Sequence, residues 1–193
     1  TEQLDRALSW FKNHGSVEEQ AWIGLYLGRS YVKDKLFVPA MKAYSEALGL
    51  AKEKRLYDVA GYICSYMADL YTYTKQRSEE RRKFEEAAEF FKQAGNERSY
   101  AFALRDVAKT WAFDDSLSLV LCYMLRADSV ITKLRDSAGI GVIANGLGNI
   151  YNLMGDIEKS KSYFIKSLNS DTIYQAPTYL ALSSLVFPDI GYR

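Results

Sequence analysis

The sequence predicts an all-α protein in which antiparallel helix pairs stack into a right-handed α-solenoid. Three observations predict this fold class: the 193-residue chain matches itself when shifted by 40 residues, apolar side chains recur at spacings of three and four, and strict apolar–polar alternation is absent. Only three prolines interrupt the pattern, so long helices are permitted. With 48% hydrophobic and 25% charged residues the chain can bury a core, which excludes a disordered protein.

The repeat is defined by columns of one physical type, which align without a gap up to about Leu168. One column holds only small residues, and the column three residues later holds only aromatic ones: Gly28, Ala68, Ala108 and Gly148, then Tyr31, Tyr71, Trp111 and Tyr151. A small residue lets two helix backbones approach while a ring fills the space beside it. Each unit therefore reads as two packed helices, A and B, and the next unit must cover the face that one pair leaves exposed.

In chain order, residues 1–20 are predicted to hold helix B of a partial repeat. Its apolar residues Leu4, Leu8 and Phe11 lack an upstream neighbour, and such an end would allow two copies to form a homodimer. Four repeats are expected at 21–60, 61–100, 101–140 and 141–175, and a terminal capping helix at 176–193. Pro39 falls near the start of a helix B, where its missing N–H costs nothing, and Gly155 supplies a positive φ between the two helices of the fourth repeat.

The fourth repeat carries the clearest motif, Leu147-Gly148, Tyr151, Gly155-Asp156, Ser160, Phe164 and Ser167. The first repeat has the same residue types in Leu27-Gly28, Tyr31, Ala40, Tyr44 and Ala47. This pattern resembles the tetratricopeptide repeat (TPR), although the period of 40 exceeds the family's usual length of about 34 residues. The second and third repeats depart from it, since Lys75 and Asp115 replace the turn glycine. Extended repeats of this kind are similar to those of bacterial scaffolds and sensor-regulators.

The resemblance implies a non-enzymatic scaffold that binds a protein or peptide partner in a concave groove lined by helices A. Carried over position by position, the groove residues are Trp22, Arg29, Lys33, Tyr62, Asp69, Tyr73, Phe102, Arg105, Lys109, Phe113, Asn145, Asn149 and Asn152. Aromatic rings, cations and amides together suit an extended peptide. The alternative interpretation is that the aromatic residues pack between helices. The cations precede the amides, the reverse of the order in repeats that clamp a chaperone's terminal carboxylate, so a receptor of that kind is not indicated.

A second functional hypothesis is a ligand- or peptide-sensing segment of a larger bacterial signalling or transcription regulator. It depends on the family analogy alone.

The residues give little support for nucleic-acid binding, metal binding or catalysis. The net charge of +1 argues against nucleic-acid binding by this segment, and the single histidine, His14, argues against a two-histidine metal site. We expect no cofactor, no metal and no catalytic residue, and we interpret Cys64 and Cys122 as small buried hydrophobes. Residues 75–83 carry three more positive than negative charges and read as a solvated face or a contact for an acidic partner. Without a membrane span, the segment is expected to be soluble, in the cytoplasm or the periplasm.

Overall fold

The computed structural model describes residues 2–114, 116–170 and 175–186, and every regular element within these ranges is an α-helix. In chain order the helices are α1 (Glu2–His14), α2 (Val17–Lys33), α3 (Phe37–Glu53), α4 (Tyr57–Tyr73), α5 (Arg77–Gln93), α6 (Glu97–Ala112), α7 (Leu117–Leu134), α8 (Ser137–Leu153), α9 (Ile157–Leu168) and α10 (Gln175–Val186). The predicted all-α class, with successive helix pairs, is confirmed.

The 40-residue period of the sequence is the spacing between the starts of helices A. These helices begin at Val17, Tyr57, Glu97 and Ser137. Helices α2 to α5 are each 17 residues long, and three-residue connections separate them. The divisions at 21, 61, 101 and 141 that the sequence pattern suggests fall about one turn inside each helix A.

The helices group into two compact units, Thr1–Ala103 and Leu104–Arg193, with the division inside α6. The core of the first unit includes Leu25, Tyr44 and Ile63, all nearly inaccessible to solvent. Ile143, Leu147 and Phe164 have the same role in the second unit.

Small residues of helix A receive aromatic rings of helix B in both units. A Cβ added to Gly28 would lie 2.3 Å from Cε1 of Tyr44, and one added to Gly148 would lie 2.5 Å from Cδ1 of Phe164. Beside this second contact the hydroxyl of Ser160 donates a 2.8 Å hydrogen bond to the carbonyl of Gly148. The column of small residues is thus the place where a ring of helix B closes on helix A.

Six of the connections repeat one backbone conformation, each with a residue in the left-handed region. The residues concerned are Lys35, Arg55, Lys75, Gly95, Arg135 and Gly155, with φ between 54° and 78°. In the first A–B turn the amide of Leu36 donates to the carbonyl of Tyr31 (2.8 Å), and that of Lys35 donates to Val32 (2.9 Å). This is the Schellman pattern that ends many helices. Lys75 therefore adopts the conformation of the glycine it replaces, whereas Asp115 lies outside the described residues.

The two ends of the array are helices α1 and α10. Helix α1 packs on α2 and leaves Trp10 56% exposed. The side chain of Leu4 lies outside the described part, so the homodimer through this end stays a prediction. Helix α10 packs on α9 and buries Thr178. It corresponds to the predicted capping helix up to residue 186, and residues 187–193 are not described. No helix in the described part of the chain is both long and apolar enough to cross a membrane.

Candidate peptide-binding surface

The residues predicted to line the groove lie on helices A or directly after them. In the first unit they are Trp22, Arg29 and Lys33 on α2, Tyr62, Asp69 and Tyr73 on α4, and Phe102 on α6. In the second unit they are Arg105 and Lys109 on α6, Phe113 just after it, and Asn145, Asn149 and Asn152 on α8. The structure brings part of this set together in two separate clefts, one in each unit.

The unit 1 cleft lies between α2, α3 and α4 and has a volume of about 310 Å³. Its lining residues are Arg29, Val32, Tyr44, Tyr66, Asp69, Leu70, Thr72 and Tyr73. Arg29, Asp69 and Tyr73 belong to the predicted set. Tyr44 and Tyr66 do not, because the family pattern treats Tyr44 as a packing residue and gives no role to the position of Tyr66.

Arg29 is held in this cleft by aromatic rings. Its guanidinium carbon lies 4.6 Å from the ring centroid of Tyr66 and 5.9 Å from that of Tyr26. The ring of Tyr66 in turn stacks on that of Tyr44, with 6.4 Å between centroids. A cation over an aromatic face is attracted by the ring quadrupole, so the three tyrosines fix the position of the guanidinium.

The hydroxyl of Tyr44 keeps its proton at neutral pH. Burial raises the pKa of Tyr44 well above its ordinary value, and the charges of Tyr66 and Asp69 add to this while Arg29 opposes it. The group is therefore a hydrogen-bond donor under ordinary conditions.

Trp22 and Tyr62 are half-buried and contact each other, with ring centroids 5.7 Å apart. Tyr62 also meets Phe91 edge to face at 4.9 Å, and its hydroxyl lies 3.1 Å from the hydroxyl of Ser99. These are the contacts of the alternative interpretation, in which rings pack between helices. Phe102 is similarly half-buried, under the guanidinium of Arg98 at 5.0 Å.

The unit 2 cleft lies between α6, α7 and α8 and has a volume of about 270 Å³. It is lined by Arg105, Ala108, Lys109, Ala112, Val120, Met124, Val142, Asn145, Gly146 and Ile150. Arg105, Lys109 and Asn145 are predicted site residues and stand at its polar rim. Gly146 leaves the cleft open, because a Cβ there would come within 2.6 Å of Cε of Met124.

Asp106 partly neutralises the cations of this cleft, and sequence reasoning missed it. Its carboxylate accepts hydrogen bonds from Arg105 (2.8 Å) and from Lys109 (2.9 Å). The spacing of three between Asp106 and Lys109 is a signal that could have found this pair. The bond to Arg105 was not predictable from helix geometry, since adjacent residues of a helix point in different directions.

Two of the three amide groups predicted to bind a peptide backbone already donate within the chain. Asn145 donates a 2.7 Å hydrogen bond to the hydroxyl of Thr178 in α10. Asn149 donates to the backbone carbonyl of Asn145 at 3.0 Å.

Solved structures similar to this chain include BtubC (BKLC) from P. vanneervenii, with a TM-score of 0.80, 19% identity, and coverage of 94% of this chain and 78% of BtubC. Aspartyl phosphate phosphatase F from Bacillus subtilis matches with a TM-score of 0.75 and 18% sequence identity. The match covers 95% of this chain and 48% of that protein. The Pyrococcus horikoshii protein PH0952, a STAND protein with a tetratricopeptide repeat sensor, matches with a TM-score of 0.69 and 20% sequence identity. The match covers 89% of this chain and 27% of PH0952. This chain has the tetratricopeptide-repeat fold. It spans about half the length of phosphatase F and about a quarter of PH0952.

Sequence comparison finds no matching family model and no significantly similar curated protein. The TPR resemblance is therefore carried by the repeat columns and by the fold.

Four residues of the TPR-derived set line neither cleft and are exposed: Lys33, Phe113, Asn149 and Asn152. Lys33 and Asn152 lie in the last turn of their helices A, and Phe113 follows directly after α6.

Carboxylates of α5 compensate part of the positive charge at 75–83. Arg77 pairs with Glu80 at 2.8 Å, Arg82 pairs with Glu79, and Lys83 pairs with Glu86 at 2.7 Å. Lys83 and Glu80 are buried, so the interpretation as a solvated face is wrong for these two. Glu86 lies outside the counted segment and reduces its surplus of three positive charges to two.

The two cysteines differ in environment. Burial raises the pKa of the Cys64 thiol to about 12, which keeps it protonated and unsuited to act as a nucleophile. Cys122 is exposed, so its interpretation as a buried residue is wrong. Its repeat position is also exposed at Lys42, Arg82 and Ser162, since this side of helix B faces solvent. Among the residues that the structure describes, no three His, Cys, Asp or Glu side chains are grouped to hold a metal ion.

Proposed function

We propose that the chain is a non-enzymatic protein- or peptide-binding scaffold whose inner helix A faces bind the partner. One observation carries this proposal: in each unit, three of the predicted residues from two successive helices A line a common cleft. They are Arg29, Asp69 and Tyr73 in unit 1, and Arg105, Lys109 and Asn145 in unit 2. A rigid repeat surface of this kind binds with little ordering of its own backbone.

The unit 2 cleft suits an apolar side chain next to an acidic residue of the partner. Val120, Met124 and Ile150 supply apolar lining, and methionine adapts well to side chains of different shape. Arg105 and Lys109 at the rim attract a carboxylate, to the extent that Asp106 leaves their charge uncompensated.

Affinity capture with a charge-matched pair of variants tests the proposal. The immobilised chain is incubated with native lysate, and bound proteins are quantified by mass spectrometry. We expect Arg105→Gln with Lys109→Gln to reduce capture of the main partner at least tenfold, because loss of even one charged contact costs about 1.5–3 kcal/mol and about 1.4 kcal/mol is a tenfold change in Kd. The control, Lys92→Gln with Lys133→Gln, removes the same charge from exposed positions outside both clefts and should bind normally.

Asp106→Asn provides a variant with the opposite expected effect. It removes the carboxylate that neutralises both cations, so capture of the same partner should increase. Equal losses in the two charge-matched pairs, or a decrease with Asp106→Asn at an unchanged thermal midpoint, would contradict the proposal.

A second candidate is the sensing segment of a larger regulator, which the similarity to PH0952 favours. That protein is described as a STAND protein with a TPR sensor, and this chain covers 27% of it. The full-length open reading frame tests this candidate. A kinase, DNA-binding or membrane segment encoded in the same frame supports it, and a frame that encodes the repeats alone contradicts it.

A further inference from the structure

The unit 2 cleft lies at the place in the repeat where unit 1 holds aromatic rings. Residues two repeats apart differ by 80 in number, and three tyrosines of unit 1 are replaced in unit 2 by residues without a ring: Tyr44 by Met124, Tyr62 by Val142 and Tyr66 by Gly146. All three replacements line the unit 2 cleft. The cleft of about 270 Å³ thus corresponds to the space that rings fill in unit 1.

The ring of Tyr66 indicates what this space accepts. It stacks on the ring of Tyr44 with 6.4 Å between centroids, and the guanidinium carbon of Arg29 lies over it at 4.6 Å. The side chain of Tyr66 on α4 therefore contacts a packed ring of α3 and a surface cation of α2. Both contacts are favourable because of the quadrupole of the aromatic ring.

Unit 2 keeps the equivalents of these contacts but supplies no ring between them. Lys109 has the repeat position of Arg29, and Met124 has that of Tyr44. Both residues line the cleft, and the ammonium of Lys109 is held by Asp106 at 2.9 Å. A methionine makes favourable contacts with aromatic rings, and an ammonium is attracted to a ring face. An aromatic ring in this cleft would therefore find two suitable neighbours.

Size and charge favour one aromatic side chain over other occupants. The volume of about 270 Å³ lies below the range of about 300–1,000 Å³ that is typical of small-molecule sites, so the cleft fits a single side chain. Arg105 and Lys109 carry two positive charges at the rim, against one negative charge on Asp106, which disfavours a cationic side chain. The buried residues Val120 and Met124 disfavour a hydrated carboxylate inside the cleft.

We propose that the unit 2 cleft is a subsite for an aromatic side chain of the bound peptide. The ring takes the position that Tyr66 has in unit 1, with Met124 in the place of Tyr44 and Lys109 in the place of Arg29. The partner thereby supplies the ring that the chain lacks at Gly146. This assignment deepens the proposed peptide-binding function and rests on it.

Ring-current shifts of a methionine methyl group test the ligand class in the whole chain. The probes are N-acetyl-L-phenylalaninamide and N-acetyl-L-leucinamide, which share a backbone and differ in the ring. The Cε methyl signal of Met124, assigned by its loss in Met124→Leu, should move upfield and saturate with the phenylalanine compound, because Tyr44 meets Tyr66 face to face at the equivalent place. The leucine compound should bind about fivefold more weakly, and the signal of the exposed Met154 should not move. Equal binding of both compounds, or no saturable shift with either, overturns the assignment.

Lys109→Gln tests the cation over the ring. It should weaken binding of the phenylalanine compound about two- to fivefold and leave binding of the leucine compound unchanged, because an ammonium is attracted to a ring face and not to an aliphatic side chain. An equal change for the two compounds would contradict the assigned position of the ring.

Gly146→Tyr separates occupation of the cleft from folding. Among the described residues of other helices, only Cε of Met124, the flexible end of its side chain, lies within 4 Å of a Cβ added at Gly146, at 2.6 Å. The new ring should fill the cleft as Tyr66 does in unit 1, so the phenylalanine compound should bind about tenfold more weakly or less, at an equal or higher thermal midpoint. Gly49→Tyr, at an exposed helix position with nothing within 4 Å, should leave binding unchanged. A lower midpoint in Gly146→Tyr, which would show that the space rejects a ring, or unchanged binding overturns the assignment.

The two proposals fail in different ways. If Gly146→Tyr captures the lysate partner normally while the Arg105 and Lys109 variant does not, the aromatic subsite is wrong and the scaffold function stands. If neither variant reduces capture and neither compound binds, both are wrong.

Discussion

At Gly148 the missing side chain is the structural requirement, because the ring of Phe164 occupies the place of a Cβ. The added carbon would lie 2.5 Å from Cδ1 and 3.0 Å from Cγ of Phe164, which is completely buried. Because Cγ is fixed close to the backbone, this ring cannot retreat without moving α9.

We therefore predict that Gly148→Ala lowers the free energy of unfolding by about 1–2 kcal/mol. Overpacking costs about 1–3 kcal/mol and outweighs the gain of about 0.5–1 kcal/mol that alanine brings to a helix interior. Urea unfolding measures the change.

Gly49→Ala is the matched control, since nothing lies within 4 Å of the added carbon in α3. It should stabilise the protein by about 0.5–1 kcal/mol. Changes of the same sign at both positions would contradict this account of the small-residue column.

Glu86 is a second residue whose environment decides its effect. It accepts hydrogen bonds from Lys83, at 2.7 Å, and from Lys52. Burial tends to raise the pKa of Glu86, but these two ammonium donors outweigh burial and hold the pKa below its ordinary value of 4.5. The fold therefore stabilises the charged form.

This lowered pKa predicts an acid-sensitive contribution to stability. The contribution is fully present above pH 4.5 and is lost as the pH falls through the lower pKa of the folded state. Glu86→Gln should destabilise the protein at pH 7, and the difference from wild type should shrink at pH 3. Urea unfolding at both pH values measures it. The exposed neighbour Glu85, changed to Gln, should show no such pH-dependent difference, and an equal one there would count against the assignment.

At the scale of the element, one turn conformation ends most of the helices whatever residue occupies it. Lys75 has a φ of 59° where Gly155 has 78°. The sequence predicted the helices and their 40-residue spacing, but it left the Lys75 turn in doubt. The structure resolves the doubt because the backbone hydrogen bonds of the turn, such as that from Gln76 to Tyr71 at 3.0 Å, impose the left-handed conformation.

Lys75→Gly should therefore stabilise the protein by about 0.5–1 kcal/mol. A side chain in the left-handed region costs about 1–2 kcal/mol, and glycine avoids this cost but loses more backbone entropy on folding. The thermal midpoint should rise accordingly. Gly155→Ala is the reciprocal change and should lower it, whereas a loss of stability in Lys75→Gly would show that the turn is not strained.

At the scale of the whole molecule, the two units build their clefts at the same place in the repeat. Tyr66 and Gly146 occupy equivalent positions, as do Tyr44 and Met124. The cleft with tyrosines presents polar donors and flat rings, whereas the cleft with Gly146 and Met124 presents an apolar lining.

The sequence by itself determined the helix pairs, their period and the helices that carry the candidate site, because each of these follows from local periodicity and from the volumes of side chains one repeat apart. Only the tertiary structure decided which candidate residues meet. Arg29, Asp69 and Tyr73 converge on Tyr44, and Asp106 pairs with Arg105 and Lys109. The reason is physical: convergence depends on distances between helices and on the partner each charge or hydroxyl finds there, and a one-dimensional pattern does not contain those distances.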